Sequence, residues 1–151
     1  MYDYRLRWDN VTYAPGSINV VAYKDGAEWA SASQVTAGTA ASLNMTADRI
    51  SITGDGYDLS FISLAVVDDN GTVVPMASNE ITFEVSSGPG VIVSTDNGDP
   101  TDMTPFPSLT RKAFSGLALA IVKSEAGASG EIVVEANAEG LEGGKIVITA
   151  A

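Results

Sequence analysis

The sequence contains neither cysteine nor histidine. Without cysteine there are no disulfides and no thiolate metal sites. Without histidine there is no Ser-His-Asp triad, no zinc-histidine centre and no imidazole to carry protons near neutral pH. Positive charge is also scarce, with 8 Lys and Arg against 19 Asp and Glu, for a formal charge of −11. Nucleic acid and anionic membrane surfaces are therefore excluded as expected partners, because both are held by clustered basic side chains. Neutral carbohydrate stays open as a partner. No apolar run approaches the roughly 20 residues of a membrane helix. The opening MYDYRLRWDN has no long apolar core of the signal-peptide kind; if the protein is exported, its signal is expected upstream.

What is present favours strands. The 151 residues are 45% hydrophobic and 18% charged, with 15 Gly, which suits one packed domain plus part of another. Val, Ile and Thr are frequent, and apolar and polar residues alternate between clusters of Gly, Asn, Asp and Pro. Tyr2, Tyr4, Leu6 and Trp8 share one face of a first expected strand. Strands Ile18–Lys24 and Ala27–Val35 follow, joined by the tight turn Asp25-Gly26. Two Trp and four Tyr in these first residues are more apolar surface than a small meander buries alone. Residues 1–38 are therefore read as the C-terminal strands of a truncated preceding β-domain. Trp8, Tyr13 and Trp29 are its candidate interdomain aromatics, with packing on a neighbour or on a second copy of the chain as the expected outcome.

A second pattern runs over residues 39–151. Leu43 and Met45 mark a strand, and Leu59–Val67 is apolar on both faces and cannot be oriented. A turn at Asp68-Asp69-Asn70-Gly71 follows. Ile81, Phe83 and Val85 alternate with Glu80, Thr82 and Glu84, giving one buried and one wet face. Val91–Thr95 leads into a long loop from Asp96 to about Thr110, and the last strands are Phe114–Ser124, Ile132–Ala138 and Lys145–Ala150. About seven short strands at this spacing indicate an all-β, Ig-like sandwich.

Three strings carry a resemblance: RLRWDNVTYAPG, DNGDPT and RKAFSGLALAIV. Together with the stretches around them they resemble the C-terminal Ig-like region of bacterial glycoside hydrolase family 2 enzymes of the β-galactosidase type, over almost the whole chain. The resemblance implies a bacterial Ig- or invasin-like sandwich preceded by a partial sheet from a neighbouring Ig-like domain. It also implies a periplasmic or secreted parent that cleaves β-galactosides or related sugars with retention, using glutamates on a (β/α)₈ barrel. Such a barrel needs roughly 250 residues with alternating βα units. Catalytic residues are thus carried onto no position here, and no cofactor is expected. Where relatives often have Ser-His-Glu after Asp-Pro-Thr, this chain has Asp102, Met103 and Thr104.

Glu80 with Glu84, and Glu131 with Glu135, would stand roughly 13 Å apart along a strand. Glycoside hydrolysis wants two carboxyls about 5 to 10 Å apart in a cleft, so both pairs are read as solvated rows. Three carboxylates within Asp96–Asp102 invite a calcium reading, but the string lacks the EF-hand order, and Asp and Asn beside Gly and Pro are also turn formers. Long loops are often functional. Asn97, Asp99, Thr101 and Phe106 are therefore the candidate substrate-entrance or interdomain contacts, against the plainer reading that the loop caps the sandwich with Phe106 closing the core. Arg5, Arg7, Arg111 and Lys112 are expected in surface ion pairs. Three functions follow: a non-catalytic accessory domain of a hydrolase, a carbohydrate-binding module, or a cell-surface stalk or adhesin module.

Overall fold

The computed structural model describes residues 7–151. Tyr2, Tyr4, Leu6 and Arg5, named above, lie outside them. The chain divides into two compact units between Thr36 and Ala37.

In the first unit, β1 (Ser17–Lys24) and β2 (Ala27–Val35) form an antiparallel ribbon. Asp25 and Gly26 close it with φ of 52° and 82°, the two left-handed residues that a two-residue hairpin turn demands. The other end is tied by the Thr36 amide donating to the Gly16 carbonyl at 2.8 Å. Register sets Ile18, Val20 and Ala22 opposite Gln34, Ala32 and Ala30, so one face of the ribbon is largely apolar. Ile18, Val20, Val21, Tyr23, Trp29 and Val35 are all exposed.

The second unit is a two-sheet sandwich. One sheet holds β3 (Ser42–Ala47), β5 (Leu59–Val67), β9 (Leu117–Ser124) and β7 (Gly90–Asp96), in that order. The other holds β4 (Ser51–Ile52), β11 (Gly144–Ala150), β10 (Gly130–Ala138), β6 (Glu80–Ser87) and β8 (Thr110–Lys112). All pairings are antiparallel except β4 with β11.

The core follows from alternation. Ile81 and Phe83 on β6 and Ile132, Val134 and Ala136 on β10 face Ile62, Leu64 and Val66 on β5 and Ala118, Ala120 and Val122 on β9. Phe83 is the largest fully buried side chain. The orientation of β5 is thereby settled: Ser60, Ile62, Leu64 and Val66 point inward, while Phe61 and Ser63 point out. Ser60 is tolerated inside because its hydroxyl donates to the Arg49 carbonyl at 2.7 Å.

Nine strands rather than seven make up this unit. The two extra ones, β4 and β8, span two and three residues, too short to display a period. The strand expected from Phe114 begins at Leu117 instead. Phe114 and Leu117 exchange reciprocal backbone hydrogen bonds of 2.9 and 3.0 Å around Ser115 and Gly116, with φ of 53° and 77°. This is again the two-residue hairpin turn. A Cβ on Gly116 would collide with the Val74 carbonyl. The Asp68 turn forms as expected: its buried carboxylate accepts from the amides of Gly38, Asn70 and Thr72. Those amides, Gly38 first, lower its pKa below the ordinary carboxylate value.

Candidate functional site: a cleft beside the 97–110 loop

The loop leaving β7 is stapled at its base. Thr95 donates its amide to the Phe106 carbonyl at 2.7 Å and its hydroxyl to the Ser108 carbonyl at 2.7 Å. Local turns shape the rest. The Asp99 amide donates to Asn97 Oδ1 at 2.9 Å, and Thr101 donates both amide and hydroxyl to Asp99 Oδ1 at 2.8 Å. These side chains satisfy backbone groups that no ladder reaches.

Arg111 is the centre of the arrangement, and its position corrects the expected surface ion pair. The residue is only 2% exposed. Its Nη1 donates to Asp102 Oδ2 at 3.0 Å and to the Thr104 carbonyl at 2.9 Å. Its Nη2 donates to the carbonyls of Thr95 at 2.7 Å and Pro105 at 3.1 Å, and Nε reaches Thr95 Oγ1 at 3.3 Å. A buried guanidinium is costly unless all its donors are matched, and the loop matches all three nitrogens. The Asp102 carboxyl is held well below the usual carboxylate range by the Thr104 hydroxyl and amide first, and by Arg111 next. Of the other basic residues named, Arg7 pairs with Asp9 at 2.6 Å on the surface, and Lys112 is exposed with no ion pair among the described residues.

Asn97 bridges loop and sheet, its Nδ2 donating to Asp102 Oδ2 at 2.8 Å and to the Lys112 carbonyl at 3.0 Å. The second bond covers part of the free edge of β8. Between loop and edge lies an open cleft of about 580 Å³. Asn97, Asp99, Thr101 and Thr104 line it from the loop, Glu80, Thr110 and Lys112 from the strands, and Phe114 lines it as well. Glu80 and Lys112 are directly opposite in the β6–β8 register.

Three of the four loop candidates, Asn97, Asp99 and Thr101, thus share this cleft. Phe106 is 63% exposed and does not close the core; Arg111 holds the Thr104 and Pro105 carbonyls just before it, and the Thr95 amide holds the Phe106 carbonyl. Trp8, Tyr13 and Trp29 belong to the first unit and are exposed. Arg111, Lys112 and Phe114 were not among the sequence candidates. Only the Arg-Lys pair closing a Pro-rich loop hinted at the first two. Of the glutamate pairs, Glu80, Glu84 and Glu131 are exposed, and Glu135 meets Lys145 at 3.0 Å. Among the described residues, no group of three or more acidic, His or Cys side chains is placed to hold a metal ion.

Two largely antiparallel sheets closed over an apolar core define an Ig-like sandwich domain. Residues 43–147 match the family described as Glycoside hydrolase family 2 C-terminal domain 5, and the chain belongs to that family. Residues 1–30 match a separate domain family of unknown function. The chain is 36% identical, over 93% of its length, to a β-galactosidase of Bacteroides ovatus, and 33% identical over 58% to a β-glucuronidase of Formosa agariphila. It spans only 16% and 9% of those two proteins. Among solved structures it resembles a glycosyl hydrolase family 2 member from Bacteroides cellulosilyticus, with a TM-score of 0.88 and 33% identity. A β-glycosidase from Bacteroides vulgatus gives a TM-score of 0.86 and 28% identity. Each covers 93% of this chain, which in turn covers 18% of each.

Proposed function

We propose that the chain is a non-catalytic, structural accessory region of a family 2 glycosidase acting on β-galactosides or related sugars. The carrying observation is the match of nearly the whole chain to about one sixth of a β-galactosidase. The parent is read as a retaining enzyme whose glutamates lie elsewhere in its sequence. On this reading the first unit contributes strands to a neighbouring β-domain, and the sandwich supports domain packing or assembly. The 97–110 loop is rigid enough to shape a substrate entrance, because a buried arginine grips its backbone rather than leaving it free.

The test has two arms. Incubated with nitrophenyl β-galactoside and β-glucuronide, the 151-residue chain should release no nitrophenol above the blank; turnover at any reproducible rate overturns the reading. In a parent enzyme, deleting the region that corresponds to this chain should lower thermal stability or disturb assembly while the residual active fraction keeps its kcat on a nitrophenyl substrate. Unchanged stability, assembly and kinetics after deletion would equally overturn it.

A further inference from the structure

We propose that the cleft between the 97–104 loop and the β6–β8 edge binds one or two rings of a neutral saccharide. The proposal rests on the accessory-domain reading only for the choice of sugar. Its volume of about 580 Å³ lies within the roughly 300–1,000 Å³ typical of small-ligand sites. The lining is of the mixed kind that a polyol needs. Lys112 offers donors and Glu80 acceptors from directly opposite positions, and neither is in an ion pair among the described residues. Asp99, Thr101 and Thr104 add oxygens along the loop wall. Phe114, 43% exposed, lines the cleft and offers the C–H face of a pyranose an apolar surface. Its backbone is fixed by the Ser115-Gly116 turn.

Other ligand classes fit less well. An anionic ligand would meet Glu80, Asp99 and Asp102 against the single Lys112, on a protein of charge −11. An extended peptide adding to β8 would need the free edge of that strand, and its Lys112 carbonyl already accepts from Asn97. The wall is preformed, because Arg111 fixes Asp102 and Thr104 before any ligand arrives, which reduces the ordering cost of binding. For so open a cleft the expected Kd is on the order of a millimolar.

Amide chemical shifts of the 151-residue chain, titrated with β-1,4-galactobiose, test this directly. Shifts should concentrate at Glu80, Asp99–Thr104, Lys112 and Phe114. Phe114→Ala and Lys112→Met should each weaken binding by about five-fold or more without moving the unfolding midpoint of the Lys112 variant. Three results overturn the proposal: no shifts at about ten times the expected Kd, shifts centred on Tyr23 and Trp29, or inorganic phosphate producing the same pattern as strongly. None of these touches the accessory-domain reading, which is decided by turnover and by deletion in the parent.

Discussion

Arg111 shows how a single side chain converts a polar loop into part of the fold. Replacing it with Met would strip the guanidinium's hydrogen bonds from Asp102 and from the carbonyls of Thr95, Thr104 and Pro105. The expected loss is about 2–4 kcal/mol, read as a lower denaturant midpoint, together with faster amide exchange over Thr104–Ser108. Asp102 and Asp68 contribute to the acid limb of stability, alongside Asp55, Asp58 and Glu135, whose pKa values are also lowered. The Asp102 and Asp68 carboxyls have folded pKa values lowered by the donors that surround them. Their contribution is therefore fully present above the unfolded value of about 4, and it is lost as pH falls through that value toward the folded ones. Denaturant midpoints measured from neutral pH down to about pH 3 should drop steeply, and less steeply in Asp68→Asn. That variant would also be weaker at neutral pH, because Gly38, Asn70 and Thr72 donate to the charged oxygens.

Among the elements, the long strands were legible because each buries one face: Glu80–Ser87 and Gly130–Ala138 alternate just as their burial does. The strand Leu59–Val67 is apolar on both sides, and only the opposing sheet decides which side is inside. The short strands β4 and β8 were illegible, since two or three residues carry no period and their partners lie far away in sequence. Three of the loop's candidate side chains were found from composition. The arginine that organises them was not, because its burial depends on carbonyls whose positions no residue type reveals. Ser115-Gly116, inside the RKAFSGLALAIV string, illustrates a signal that was present and passed over: it is a two-residue turn, and the strand therefore starts three residues later than expected. Gly116→Ala should cost about 2 kcal/mol or more, from the left-handed backbone and the collision with the Val74 carbonyl. A thermal melt would show it, and an unchanged midpoint would mean the turn adopts another form in solution.

At the scale of the molecule, the two units differ in how far each satisfies itself. The sandwich has its own core, whereas the ribbon exposes Ile18, Val20, Val21 and Trp29, and a two-stranded sheet is marginal alone. The 151-residue chain is therefore expected to self-associate through the ribbon. Light scattering should give a mass rising with concentration, and Val20→Lys should restore the monomer; a wild-type monomer at all concentrations would refute association through the ribbon. The sandwich should be unaffected by that change. Its loop has a further property that follows from what Arg111 holds. Three of the five groups it grips are main-chain oxygens, and every amino acid supplies one. The side chains of Met103 and Phe106, both exposed, are thus free to change identity while the scaffold beneath them stays put. This outer rim is where the sequence can change at least cost to the sandwich beneath it.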